Sequence, residues 1–267
     1  MEFLSYGFMR NALIAICIIT PLFGILGTMI VNNRMAFFSD ALGHSALTGM
    51  AIGVLLGVAG TDVPMLLFAL VFALVLNHMK RKSSASTDTI ISVFSSLGTA
   101  VGLVILSRGG NFSKYSALLV GDILSITAKE ILCLLGVLVL TLVFWLVCFN
   151  KLHTCSVNKS LAMSKGLPVR LIEDLFAVLI AVIVMLSIKW VGILIINALL
   201  ILPTAAATNI AANMREYHLF SVILSVSSGL IGLVLAYYLN AAVGPTIVIV
   251  AAVFFAATFF ARPLFRT

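Results

Sequence analysis

Charged side chains are scarce in this sequence, which has nine acidic and sixteen basic residues among 267. A soluble domain carries about 25% charged residues, whereas this chain carries 9%. Too few charges are present to cover a water-facing surface, which excludes a soluble globular enzyme, a nucleic-acid-binding domain and a disordered chain. The rest of the composition is 62% hydrophobic, with a mean hydropathy of +1.23, and predicts a polytopic membrane protein.

Cysteine and catalytic motifs are equally sparse. The four cysteines form no Cys-x-x-Cys pair, so neither a disulfide framework nor a zinc knuckle is indicated. HExxH, GxSxG and Walker A motifs are missing as well. We therefore expect a protein that is not an enzyme and holds no permanently bound cofactor, with any ATP hydrolysis on a separate subunit.

Long apolar runs dominate what is present. A helix needs roughly 20 apolar residues to cross a membrane, and we interpret nine segments as spans: 11–31, 37–59, 64–79, 89–107, 131–149, 171–187, 191–213, 219–239 and 245–261. The runs do not alternate polar and apolar residues as barrel strands do. The prediction is one all-α polytopic transmembrane helical bundle over 1–267, with about nine spans, or eight if 64–79 does not cross.

The basic residues predict the orientation of the spans. Eleven of the sixteen fall in alternate connections and the C-terminal tail, which the positive-inside rule places in the cytoplasm. These connections are 32–36, 79–88, 150–170 and 214–218. The N-terminus is then outside, and the net charge of +7 is mostly cytoplasmic loop charge. Segment 108–130 is predicted to form a short helix or re-entrant turn at the outer face.

Asp40 and His44 are the most informative ionisable residues inside a predicted span, where such residues are rare. They are four residues apart, so a helix projects both side chains from one face. A carboxylate and an imidazole together can bind Mn²⁺, Zn²⁺ or Fe²⁺. The spacing alone leaves open a second interpretation, in which a helix-start Asp merely orients a neighbouring His. Further ligands would come from elsewhere in the bundle or from water.

The seventh predicted span contains two further candidates, Asn197 and Pro203. Proline inside a helix is a usual cause of a kink, and a kink here would either shape a pathway or serve packing alone. Three other histidines adjoin basic loops and are predicted to be solvated: His78, His153 and His218.

A short helix is predicted near 157–166, between two spans. Ser156 or Asn158 can cap its start, Gly166 suits the left-handed position after its end, and Pro168 prevents continuation. Such a half-apolar helix would dock into a groove on a cytoplasmic partner in preference to lying on the bilayer. Its candidate contact residues are Asn158, Lys159, Leu161, Ala162, Met163, Lys165 and Gly166.

Several motifs occur in an order that resembles a known family. They are Gly24-Ile25-Leu26-Gly27, the run from Phe38 to Gly49 (FSDALGHSALTG), Gly121-Asp122-Ile123-Leu124, Ala162-x-x-x-Gly166-Leu167-Pro168, and Val191-Gly192-Ile193-Leu194 running on to Ala207. Each motif is weak by itself, but the ordered set covers nearly the whole chain. The sequence is similar to the membrane permease of the ABC importers for manganese, zinc and iron.

The resemblance implies a type II ABC importer-like permease in a prokaryotic cell membrane. It implies a homodimer with a second copy, a pathway along the dimer axis, and metal binding through Asp40 and His44. Cytoplasmic ABC ATPase subunits would bind the helix near 157–166, an external metal-binding protein would deliver the ion, and transport would proceed by alternating access. Relatives often carry acids where this chain has Asn158 and Ser160, so the ATPase contact would depend on shape, Lys159 and Lys165.

Two other classes remain open at this stage. A secondary transporter driven by an ion gradient is expected to show inverted repeats with interrupted helices, and no convincing repeat is present. An ABC permease for a chelate such as cobalamin or a siderophore would have a wide apolar pathway and no use for the Asp40 and His44 pair. Co-purification with an ATP-binding subunit separates the first of these from an ABC permease.

Overall fold

The computed structural model describes residues 5–58, 60–108 and 117–265, and within these ranges the regular structure is entirely helical. The helices in chain order are α1 (Gly7–Asn32), α2 (Ala36–Leu55), α3 (Asp62–Lys82), α4 (Thr87–Arg108), α5 (Ala117–Val120), α6 (Ala128–Val157), α7 (Lys159–Ser164), α8 (Val169–Val191), α9 (Ile193–Ile210), α10 (Met214–Leu239) and α11 (Val243–Phe265), with a 3-10 turn at Ile123–Ser125. The predicted all-α fold is confirmed.

Each predicted span corresponds to one long helix, but several boundaries are in error. Helix α6 continues to Val157 instead of ending at residue 149, and α10 begins at Met214 instead of residue 219. The second helix ends at Leu55 instead of residue 59. The seventh occupies Ile193–Ile210 instead of 191–213, because Gly192 adopts a φ of +93° that interrupts the helical path and Ala211 is extended.

Seven helices in the described part of the chain are long and apolar enough to cross a membrane, namely α1, α3, α4, α6, α8, α10 and α11. Two other helices, α2 and α9, are not long and apolar enough by the same criterion. Helix α2 carries the polar Asp40 and His44, and α9 is shorter, with 18 residues. Seven of the nine predicted spans therefore correspond to helices that could cross a membrane. The total of nine is not confirmed.

The centre of the bundle is formed by α1 and α8, whose most apolar 18-residue windows are 67% and 61% buried. The corresponding window of α6 is only 17% buried, although it has the highest hydropathy. Leu146 and Val147 of α6 are exposed. A helix that is apolar all round yet exposed suits a lipid surrounding, which imposes no cost on such side chains.

Small residues allow α1 to approach its neighbours closely. A Cβ atom at Gly24 would lie 2.8 Å from the Cα atom of Val222 on α10, and one at Gly27 would overlap the carbonyl of Leu200 on α9. The Ser221 hydroxyl donates to the Gly24 carbonyl across 2.8 Å and lies 2.9 Å from that of Thr204. Buried hydroxyls are thus satisfied where α1, α9 and α10 meet.

The connections separate into two ends of the bundle. At one end, a single cavity is lined by Arg34 of the α1–α2 connection, Lys80 in the last turn of α3 and Lys159 at the start of α7. At the other end, a cavity joins Thr61 to Lys189. We call the first of these the basic end. It brings together segments that the charge distribution predicts to be cytoplasmic.

Candidate metal site and coupling segment

Asp40 and His44 lie side by side on α2, with 3.8 Å between the Asp40 Oδ1 and His44 Nε2 atoms. Two ligand atoms that each lie about 2.1 Å from one ion are at most ~4.2 Å apart, so the observed separation is compatible with a shared ion. The side chains are 39% and 29% exposed, whereas Ser39, Ala41 and Gly43 beside them are buried. The pair therefore lies on a partly exposed side of α2 and not in the packed core.

The site is incomplete within the described part of the chain. No group of three or more His, Cys, Asp and Glu side chains in residues 5–58, 60–108 and 117–265 is arranged to hold a metal ion. Asp40 and His44 therefore offer two protein ligands, and an ion bound there needs further donors from water or from another chain.

Asn197 on α9 fixes the face of α2 next to this pair. The Ser39 hydroxyl donates to Asn197 Oδ1 across 2.7 Å, and a Cβ at Gly43 would touch Ile193. Ser39 and Gly43 precede Asp40 and His44 by one residue each, about 100° around the helix. Asn197 thus contacts the helix that carries the pair and holds its rotation.

Pro203 is buried within α9, and the helix continues through it to Ile210. Beyond it, the Asn209 amide donates to the Thr258 hydroxyl of α11 across 3.3 Å. A pathway role for Asn197 or Pro203 stays a prediction.

The short helix predicted near 157–166 is present as α7. Asn158 caps it, since its Oδ1 atom accepts from the Leu161 N–H across 3.1 Å. Gly166 follows it with a φ of +72°. Ser156 is not the cap, because its hydroxyl donates to the His153 carbonyl. What α7 binds stays a prediction.

The exposed side of α7 combines two large apolar side chains with the polar Lys159, Ser160 and Ser164. Leu161 and Met163 are 47% and 58% exposed, whereas Ala162 between them is fully buried against the chain. The helix therefore rests on the bundle through Ala162 and presents two large apolar side chains outward.

A charge network that sequence reasoning missed fastens α7 to the bundle. It consists of Asn77 and Arg81 on α3, Lys159 on α7, and Glu173 and Asp174 on α8. Lys159 Nζ lies 2.6 Å from Glu173, Arg81 forms two hydrogen bonds to Asp174, and Asn77 donates to Asp174. The consecutive acids near the start of a predicted span were the available signal. Lys159 is thus engaged within its own chain.

Two of the three histidine predictions are wrong. His218 packs edge-on against Phe149 with ring centroids 5.1 Å apart, and its Nδ1 atom lies 2.7 Å from the Thr28 hydroxyl. His153 stacks on the same Phe149, and its Nδ1 atom is buried. The packing of α1, α6 and α10 therefore leaves both side chains half-buried. His78 is exposed as predicted.

The segment predicted as a short helix or re-entrant turn includes α5 and the 3-10 turn, while residues 109–116 lie outside the described residues. Asp122 caps the turn through a hydrogen bond from the Leu124 N–H. Gly121 passes directly against Gly192, so that a Cβ on either would overlap the other's backbone. The segment therefore locks onto the junction of α8 and α9.

These features define the chain as a multi-pass helical membrane protein with the fold of an ABC importer permease. It superposes on a chain of PsaBC from Streptococcus pneumoniae in complex with Fab, with a TM-score of 0.86, 28% identity, and coverage of 99% of this chain and 97% of that one.

Sequence comparison leads to the family. The profile of the ABC 3 transport family matches residues 5–262, and the chain belongs to that family. It is 30% identical to the manganese import system permease protein ScaB of Streptococcus parasanguinis, over 97% of this chain and 92% of that protein. It is also 30% identical to the high-affinity zinc uptake system membrane protein ZnuB of Haemophilus influenzae, over 89% and 91%.

Proposed function

We propose that this protein is the permease of an ATP-driven importer for a divalent transition metal ion, Mn²⁺ or Zn²⁺, with Fe²⁺ as a further substrate. The observation that carries the proposal is the Asp40 and His44 pair, 3.8 Å apart and half-exposed. Its oxygen and nitrogen donors suit these ions. Relatives named for manganese import and zinc uptake support the same substrate class.

An incomplete site suits a permease. A closed set of four ligands is typical of structural zinc, which is held in place, whereas a transported ion has to leave. In the proposed homodimer, the second copy contributes its own Asp and His across a pathway on the dimer axis. Two pairs would then surround one ion during passage, and separation of the copies would release it.

The proposal includes nine membrane spans, with α2 and α9 crossing beside the seven more apolar helices. At 1.5 Å per residue, the 20 residues of α2 extend about 30 Å, the thickness of the hydrocarbon core. Its Asp40 and His44 side chains would face the second copy across the proposed pathway instead of lipid. With the basic end in the cytoplasm, the N-terminus is outside.

Coupling to ATP is proposed to act through α7. ATPase subunits would receive Leu161 and Met163, with Asn158, Lys165 and Gly166 at the ends of the same contact. Lys159 would pass movement of α7 to α8 and α3 through Glu173 and Arg81. The permease would alternate between outward-open and inward-open states, and an external metal-binding protein would deliver the ion at the end opposite the basic end.

The test is metal uptake by cells that express the chain with its ATPase and binding protein. Asp40→Ala and His44→Ala are expected to abolish accumulation of Mn²⁺ or Zn²⁺, measured by elemental analysis, with unchanged amounts of protein in the membrane. Asp88→Ala and His78→Ala are matched controls, since both side chains are exposed outside the site. Normal uptake by both site variants would refute the ligand assignment.

A second measurement addresses the energy source. Co-purification of the chain with an ATP-binding subunit, and uptake that stops when that subunit cannot hydrolyse ATP, are expected. Uptake that persists without the ATPase and follows an ion gradient would instead show a secondary transporter.

A further inference from the structure

A cavity of about 360 Å³ opens at the basic end, between the α1–α2 connection, the end of α3 and the α6–α7 connection. Its volume falls within the range of small-molecule sites. Three cationic side chains line it, those of Arg34, Lys80 and Lys159, against the single carboxylate of Glu173. It is separate from the Asp40 and His44 pair, neither of which lines it.

The charges of this cavity do not balance. Glu173 is already engaged by Lys159 at 2.6 Å and by Arg81 at 3.9 Å. Lys80 is half-buried, and neither Lys80 nor Arg34 has an ion-pair partner among the residues that the structure describes. Two cations without an ion-pair partner among the described residues therefore line one partly enclosed space. Arg34 is exposed and Lys80 is half-buried, so a bound anion would offset the cost of desolvating the Lys80 ammonium group.

Arg34 occupies a backbone position that does not favour arginine. Its φ is +54°, in the left-handed region where glycine is the usual residue after a helix. The Met35 N–H bonds to the Ile30 carbonyl and the Arg34 N–H to the Val31 carbonyl, which together close the end of α1. Glycine would satisfy this turn with less strain, so the turn itself does not account for an arginine at this position.

The walls of the cavity combine this charge with apolar surface from Met35, Leu152 and Phe176. The cavity also lies beside the last turns of α3 and α6, which the proposed orientation places at the level of the cytoplasmic lipid headgroups. Basic pockets between helices on the cytoplasmic side are suited to anionic headgroups.

We propose that this cavity binds a phosphate group, with Arg34 and Lys80 as its ligands, supplied by an anionic phospholipid headgroup or by free phosphate. The bound anion would tie the α1–α2 connection, which precedes the helix of the proposed metal site, to the last turn of α3. The proposal is independent of which metal ion is carried.

The test is thermal unfolding of the purified full-length chain in detergent. Three additions separate the sources: dioctanoyl phosphatidylglycerol, dioctanoyl phosphatidylcholine, and sodium phosphate against chloride at equal ionic strength. Phosphatidylglycerol is expected to raise the unfolding temperature saturably, and phosphatidylcholine much less. Lys80→Gln and Arg34→Gly should each weaken the apparent affinity about tenfold, as loss of a charge-assisted contact does.

Two variants test whether a weaker response to the anion results from misfolding instead of the loss of a ligand. Arg34→Gly removes the cation while relieving the backbone strain, so the variant should fold at least as well as the parent without added anion. Lys82→Gln removes an exposed cation two residues from Lys80, outside the cavity, and should respond to phosphatidylglycerol like the parent.

The outcomes are distinct. A saturable response to inorganic phosphate that needs Arg34 and Lys80, with nothing added by the lipid, supports the site and makes free phosphate its ligand. Equal stabilisation of parent, Lys80→Gln and Arg34→Gly by phosphatidylglycerol overturns it. It is also overturned if no anion stabilises the chain and Lys80→Gln only weakens ATPase co-purification, which would show that a partner's carboxylate fills the cavity.

Discussion

The hydroxyl of Ser39 on α2 donates a hydrogen bond to Asn197 Oδ1 on α9, with 2.7 Å between the two oxygens. Ser39 is fully buried and immediately precedes Asp40. The bond therefore holds the rotation of α2 about its axis, and with it the direction in which the proposed ligand pair points.

Ser39→Ala tests this bond directly. It leaves the Asn197 oxygen without its donor in a half-buried position, which should lower the free energy of unfolding by about 1–3 kcal/mol. Metal uptake should fall without being abolished, because both proposed ligands remain. The measurements are thermal unfolding in detergent and cellular uptake.

A double-mutant cycle with Asn197→Ala isolates the interaction, and a coupling free energy of about 1 kcal/mol is expected. Ser107→Ala is the control, since that exposed hydroxyl bonds only to the Val104 carbonyl of its own helix. Strict additivity of Ser39→Ala and Asn197→Ala would show that the bond contributes nothing.

Glu173→Gln should loosen α7 from the bundle. Lys159 then loses the charge that holds it at 2.6 Å, and Arg81 loses one of its two acidic neighbours. If α7 transmits force through this network, the number of metal ions imported per ATP hydrolysed should fall several-fold while ATPase activity persists. The measurement is transport and hydrolysis by the same reconstituted complex.

Lys151→Gln is the control for that experiment. It removes an exposed charge from the last turns of α6 without breaking an ion pair among the described residues. If Glu173→Gln keeps the normal ratio of transport to hydrolysis, transmission through Lys159 and Glu173 is wrong.

Gly121→Ala and Gly192→Ala should each destabilise the fold by about 2–5 kcal/mol. Both glycines have positive φ, which costs an L-residue about 1–2 kcal/mol, and each Cβ would overlap the facing backbone, which adds about 1–3 kcal/mol. Thermal unfolding and the yield of folded protein provide the measurement.

Gly136→Ala supplies the contrast. Gly136 lies within α6 and a Cβ there meets nothing within 4 Å, so alanine should be neutral or stabilise the helix by up to about 1 kcal/mol. If alanine lowers the free energy of unfolding by similar amounts at Gly121, Gly192 and Gly136, the close contact between the Gly121 and Gly192 backbones does not contribute to stability.

The helices were predictable because their signal is local. A run of about 20 apolar residues predicts a helix whatever surrounds it. The boundaries were less predictable, because Gly192 interrupts the helical path and α6 continues beyond its apolar run through polar residues to Val157. The same locality explains Asp40 and His44, since the helical repeat alone brings residues four apart together. The cap at Asn158 and the turn at Gly166 likewise depend on nearby backbone.

The predictions that failed concern residues whose surroundings depend on contacts between distant parts of the chain. His218 looked solvated because it follows charged residues in sequence, yet Phe149, 69 positions away, covers it. The ion pair between Lys159 and Glu173 joins two different helices, and a sequence pattern within one helix does not reveal it. Neither contact has a periodic or motif signal, because each arises from which helices pack together.

The sequence by itself determined the membrane class, the helical fold, the approximate helix positions and the spacing of the proposed ligand pair, because hydropathy and helical periodicity are short-range properties. Only the tertiary structure decided that Asn197 holds the face of α2 next to that pair, that Lys159 is bound to Glu173, and that Arg34 and Lys80 face one cavity. Those relationships join residues far apart in the chain, and the packing of whole helices brings them within contact distance.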